Sequence, residues 1–177
     1  MPTSAFVVTV PAAEPLVQDL RNRFDATAKL GVPAHITVLY PFMSPDEITL
    51  DVLHLAQAAL KGVPAFEFSL TGVGRFPTTA YLIPEPAEPF IALTTALMER
   101  FPAYRPYGGA HEATVPHLTV AHGDAAHAHA AAQELAPQLS AWRANQMTCD
   151  TVMLIENSSG RWKEMHQFRL LGARPSA

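Results

Sequence analysis

The chain has 177 residues, 49% of them apolar, and a formal charge of −4. That length suits one domain with a sizeable core, and the acidic balance excludes a broad basic surface for duplex DNA. Cys149 is the sole cysteine, which excludes an intramolecular disulfide and is compatible with a reducing cytosol.

In chain order, residues 4–10 are apolar, rich in β-branched side chains and stopped by Pro11, and predict a first strand. Residues 15–30 carry Leu16, Leu20, Phe24 and Leu30 with charges between them, and predict an amphipathic helix ended by Gly31 and Pro33. A strand from His35 stops at Pro41. Ser44, Pro45 and Glu47 read as a helix start, with Ser as N-cap, for a helix running to about Lys61. Residues 66–73 alternate Phe66, Phe68 and Leu70 with Glu67, Ser69 and Thr71, a half-buried strand. The order then restarts. A short strand over 81–83 and a helix over 90–101 precede a loop over 104–114 rich in Pro, Gly and aromatics. A strand at His117, an Ala-rich helix over 125–139, and strands over 147–155 and 162–171 around an Asn-Ser-Ser-Gly turn complete the chain. Strand, helix, His-strand, helix, strand thus comes twice. The repeat suggests an internal duplication with pseudo-two-fold symmetry, its halves (1–76 and 77–177) packed as lobes of one domain.

The two His-strands read HITVLYPF from His35 and PHLTVAH from Pro116. Side chains alternate between the faces of a strand. His35 and Thr37 therefore share one face, with Ile36 and Val38 on the other. His117 and Thr119 stand in the same relation to Leu118 and Val120. Brought together, the strands would line one pocket with two imidazoles and two hydroxyls. Histidine titrates near neutrality, so one ring can take a proton while the other gives one. That division of labour suits in-line attack at phosphorus, with the threonine hydroxyls donating to the non-bridging oxygens where charge builds up. It needs no metal and no cofactor.

These motifs, their separation and the element order resemble the 2H phosphoesterase superfamily, in particular the 2′-5′ RNA ligase-like and RNA 2′,3′-cyclic phosphodiesterase group. The residues that carry the resemblance are His35-Ile36-Thr37-Val38 and His117-Leu118-Thr119-Val120, with Tyr40-Pro41-Phe42 and Pro116 as context. The resemblance implies an α+β bilobal fold, two antiparallel sheets with helices outside, and a central cleft. It implies His35 and His117 as catalytic residues and Thr37 and Thr119 as phosphate ligands. A monomer acting on a small nucleotide or an RNA terminus is expected.

Further candidates surround the motifs. Phe42, Tyr104 and Tyr107 offer rings for stacking on a base, and His111 sits in the loop before the second motif. His122 lies an odd number of residues from His117 and in an unbroken strand faces away from the pocket. His127 and His129 read as solvated, and Arg75, Arg105 and Lys163 as surface charges that could meet a phosphate. A zinc hydrolase is the first rival, but HxxxxH at His117 and His122 is not a ligand spacing and HExxH is absent. A non-catalytic nucleotide- or RNA-end-binding module is the second, and 2′-5′ ligation is an alternative reaction for the same site. Residues 1–13 lack a signal-peptide pattern and no run approaches transmembrane length, so a cytoplasmic protein with no membrane contact is expected.

Overall fold

A computed structural model describes residues 1–110, 113–143 and 145–173. The first half contains β1 (Ser4–Thr9), α1 (Glu14–Phe24), α2 (Ala26–Lys29), β2 (His35–Leu39), α3 (Leu50–Leu60) and β3 (Phe66–Phe76). The second contains β4 (Thr79–Glu85), α4 (Glu88–Arg100), β5 (Leu118–His122), α5 (Ala125–Ala141), β6 (Met147–Cys149), β7 (Thr151–Glu156) and β8 (Lys163–Arg169).

All the strands pair antiparallel, in the order β6-β3-β4-β5-β2-β1-β7-β8. This is a mixed α/β fold on one sheet, which corrects the expectation of two. The join between the two four-stranded groups is narrow. β2 and β5 share one pair in register, Ile36 with Leu118, against seven between β3 and β4. Each sequence half lends a strand to the other: β3 pairs with β4, and β7 pairs with β1. β6 and β7 are separated by Asp150 alone, yet β6 is one edge of the sheet and β7 lies beside the other edge. One intervening residue spans at most about 7 Å between Cα atoms, so the sheet has to curl until its ends meet. There the Leu170 N–H donates to the Asp150 carbonyl (2.9 Å) and the Ala65 N–H to the Leu171 carbonyl (2.8 Å).

The helices cover one face. Phe6 and Val8 of β1, Ile36 and Val38 of β2, Leu118 and Val120 of β5 and Leu154 of β7 pack with Leu20, Leu60, Leu93 and Leu135 in the main core. Each such side chain contributes about 1.5–3 kcal/mol by leaving water. A smaller apolar cluster occupies the opposite face, where Val32, Tyr40, Met153 and Trp162 close over Ala5, Val7 and Ile155.

Local chemistry moves two helix boundaries. The helix expected over 15–30 breaks at Asp25, which is extended (φ −129°, ψ 105°) and caps α2 by accepting the Thr27 N–H at 3.0 Å. A carboxylate that competes for backbone donors ends one helix and starts another. Asp25 is also buried against Arg21, with Nε to Oδ2 at 3.1 Å. Ser44 closes only the short 3₁₀ turn Pro45–Glu47. The α-helix starts after Thr49, whose hydroxyl accepts the Val52 N–H at 3.3 Å. Among the described residues no helix is long and apolar enough to cross a membrane.

Candidate active site

The seam between the two strand groups carries both motifs. Ile36 and Leu118 are paired and fully buried on the helix side. Extending that antiparallel register by one residue each way sets His35 across from Thr119 and Thr37 across from His117. All four are half-buried on the face away from the helices. Directly opposed residues have Cβ atoms about 4.5–5.5 Å apart, and diagonal ones about 7–8 Å or less. The two histidines occupy one diagonal of this square and the two threonines the other. A tetrahedral phosphoryl group fits between rings so placed, with a hydroxyl beside each ring.

Both imidazoles are held in the same way. His35 Nδ1 lies 2.8 Å from the Pro33 carbonyl, and His117 Nδ1 lies 2.7 Å from the Val115 carbonyl. A carbonyl oxygen only accepts, so Nδ1 carries the proton in each ring. A neutral ring then keeps its lone pair on Nε2. The supports behind the two rings differ. Arg21 Nη2 donates to the Val32 carbonyl (3.0 Å), and the Ala34 N–H donates to the Glu14 carboxylate (2.6 Å). These bonds brace the turn that presents Pro33. Burial pushes His35 down to about 4, with the Arg21 and His117 charges adding to it; the Pro33 carbonyl and Asp25 oppose it. His35 is therefore neutral at pH 7. On the other side, His117 lies against Tyr81 (ring centroids 5.2 Å) and Phe76 (5.3 Å). Gly74 makes room for that stack, because a Cβ there would lie 2.3 Å from the Tyr81 ring.

The remaining sequence candidates divide. Tyr107 reaches the site: its phenol bonds the Thr37 side chain, and its ring lies 6.4 Å from that of Tyr40. Phe42 does not. It is 4% exposed and packs against Phe6, Phe101 and Tyr104 at 4.8–5.2 Å, a core ring unavailable for stacking on a ligand. Tyr104 packs against the same core. His111 lies outside the described residues. Lys163 pairs with buried Glu156 (2.9 Å), and Arg75 meets His129 (3.0 Å). His127 and His129 are both exposed, as expected of solvated rings, and His127 also pairs with Asp124 at 2.7 Å.

His122 corrects a parity argument. Tyr81 pairs with Thr119 and Thr79 with His122, and the register shifts between Ala80 and Tyr81. The bulge adds a residue to β5 and turns His122 back to the face of Thr119. There its Nδ1 lies 2.9 Å from the Thr79 hydroxyl.

Sequence reasoning passed over Tyr81, Phe76 and Arg21. The Gly-Val-Gly run before Arg75 was the available signal for a ring lying across β3. Cys149 is buried, and burial pushes its thiol up to about 12, far from a nucleophile's range. Among the described residues no three His, Cys, Asp or Glu side chains are grouped to hold a metal ion. Cavities of about 220 Å³ (behind Pro33, against α1) and about 250 Å³ (between Thr9 and β6) contain none of the four motif residues.

The family model of the 2′-5′ RNA ligase superfamily matches residues 9–161. No curated protein matches the chain in sequence. Among solved structures, a protein of Thermus thermophilus superposes with a TM-score of 0.60 at 19% identity, covering 97% of this chain and 100% of its own. Escherichia coli LigT bound to 3′-AMP gives 0.56 at 14% identity, over 96% of this chain and 98% of LigT. A structure described as a phosphoesterase gives 0.58 at 13% identity, over 97% and 99%. At these identities the matches establish a shared fold.

Proposed function

Because the chain belongs to the 2′-5′ RNA ligase superfamily of 2H phosphoesterases, we propose that it hydrolyses a cyclic phosphodiester, the 2′,3′-cyclic phosphate of a nucleotide or RNA end. His35 and His117 serve as its base and acid. The observation that carries this reading is the square of His35, Thr119, Thr37 and His117 on one sheet face, both rings anchored through Nδ1.

Neutral His35 takes a proton from the attacking water through Nε2. The new P–O bond forms as the bond to one ribose oxygen breaks, and His117 gives that oxygen its proton. In-line displacement needs entering and leaving oxygens on opposite sides of phosphorus, which histidines on a diagonal can serve. Thr37 and Thr119 donate to the non-bridging oxygens as charge gathers on them. A bound phosphodiester anion places negative charge beside His35, which raises its affinity for the proton it must accept. Both proton transfers fall to side chains, so the reaction is metal-independent. A ribose 5′-hydroxyl entering in place of water would make the same site join two ends, the 2′-5′ ligation for which the family is named. The nucleotides 3′-AMP and NADP⁺ held by LigT support a nucleotide as the first class to test.

The test is turnover of 2′,3′-cyclic mononucleotides and of RNA ending in a cyclic phosphate, followed by phosphorus NMR. His35→Ala and His117→Ala should each slow cleavage by about a hundredfold or more, with unchanged circular dichroism because Ile36, Val38, Leu118 and Val120 still anchor the strands. Full activity in both variants, on every phosphodiester the native chain cleaves, would overturn the assignment.

A further inference from the structure

The turn Pro106–Gly109 lies between α4 and β5, in the connection that leads to His117, yet it delivers a side chain to the other motif. Three consecutive residues in it are left-handed: Tyr107 (φ 51°), Gly108 (φ 64°) and Gly109 (φ 82°). Glycine adopts this conformation without strain, whereas a residue with a Cβ pays about 1–2 kcal/mol. A Cβ at Gly108 would meet nothing within 4 Å, so that glycine answers to backbone conformation rather than to space. Tyr107 is the only non-glycine residue with positive φ among the described residues. Its conformation is enforced, because its N–H donates to the Tyr40 carbonyl at 2.6 Å. Tyr107 is 40% exposed, so core packing does not account for a tyrosine at a glycine's position. What the side chain gains is Thr37, which its phenol bonds. Strain of this kind, where the surroundings enforce it, points to a role at a site.

We infer that Tyr107 is a positioning residue, whose phenol donates to Thr37 Oγ1 and so turns that hydroxyl's single proton toward the phosphate. A threonine hydroxyl has one proton and two lone pairs. With one lone pair filled by Tyr107, the proton is left for the cleft. Burial raises the phenol's pKa and outweighs the opposite effect of the Thr37 bond, so the phenol keeps a proton to donate. The inference rests on the proposed role of Thr37 as a phosphate ligand and adds the group that orients it. It also makes the two threonines unequal, since the second motif's own loop serves the first motif's hydroxyl.

A double-mutant cycle on cyclic-nucleotide hydrolysis tests it. Tyr107→Phe keeps the ring and removes only the hydroxyl, and should lower kcat about two- to tenfold, the worth of one hydrogen bond. In a Thr37→Ala background the same change should cost nothing further, and in a Thr119→Ala background it should cost its full factor. Tyr107→Gly should lower activity at least as much while leaving the melting temperature equal or higher, because the strain is relieved. Equal costs in the Thr37→Ala and Thr119→Ala backgrounds would overturn the positioning role, as would a Tyr107→Phe enzyme with native kcat. A Tyr107→Gly protein that melts well below the parent would also overturn it, by assigning the tyrosine to packing. If His35→Ala and His117→Ala are fully active, the proposed reaction itself fails. If they are inactive and the cycle is additive, only the role of Tyr107 fails.

Discussion

Acidification should cost this protein stability through one ring. His35 is held near 4 against an ordinary value of 6.5. Between those limits the unfolded chain binds a proton at this position and the native chain does not. The stabilisation from a neutral His35 is thus fully present above about pH 6.5 and is lost as the pH falls toward 4. For a ring wholly out of water, the interval at about 1.36 kcal/mol per pH unit amounts to about 3.4 kcal/mol. The ring is only half-buried, so solvent offsets part of the burial penalty and about 1–2 kcal/mol is the figure to expect. Urea denaturation at about pH 7.5 and about pH 4.5, on the wild type and on His35→Asn, isolates it. The asparagine amide can still donate to the Pro33 carbonyl but has nothing to titrate. Other groups contribute equally to both proteins and cancel. The wild type should lose about 1–2 kcal/mol more than the variant across this range; parallel losses would refute both the buried, neutral state of His35 and its suitability as the base.

The double variant His35→Ala/His117→Ala should be scarcely slower than the worse single variant, because residues that act as a unit are not additive; a rate near the product of the two single effects would argue that the histidines work independently. On a substrate with a good leaving group, His117→Ala should recover activity and His35→Ala should not, and the reverse pattern in steady-state rates would exchange their roles. Gly74→Ala puts a methyl into the Tyr81 ring, and should cost about 1–3 kcal/mol in a thermal or urea melt and lower activity by shifting the ring beside His117; an unchanged melt would show that Tyr81 yields freely. Activity should survive dialysis against a chelator, and loss with recovery on adding zinc would contradict the two-histidine mechanism.

The site was legible where the period of a strand held. Alternation alone put His35 with Thr37 and His117 with Thr119, and both pairs do share the face away from the helices. It misplaced His122 because a β-bulge leaves no trace in a sequence that stays apolar across it: Val120 and Ala121 are both buried. The break at Asp25 was hidden for a related reason. The apolar spacing of Leu20, Phe24 and Leu30 continues across it, and what ends the helix is a buried pair, Arg21 with Asp25, which reads in sequence as two ordinary surface charges. Phe42 shows the limit for aromatics. Its position beside the motif suggested a ligand, but the direction of its ring is fixed by Phe6 and Phe101, which are distant in sequence. The reduction of two sheets to one depends on the Ile36–Leu118 pair, and no local pattern announces a single ladder contact.

The exchange of strands between the halves has a consequence for how this protein is made. β1 leaves the ribosome before the other strands of this sheet, and one of its two neighbours, β7, follows only after β2 to β6 have been made. At about 5–20 residues per second, the 141 residues between them (10–150) take about 7–30 s to translate. During that interval a strand of apolar, β-branched residues has one unsatisfied edge. β3 waits as well, for β4 briefly and for β6 until Cys149 has emerged. A nascent chain in this state is a target for strand addition by its neighbours. Its yield in a cell is accordingly set by how well that half-built sheet is sheltered, as well as by the stability of the finished one.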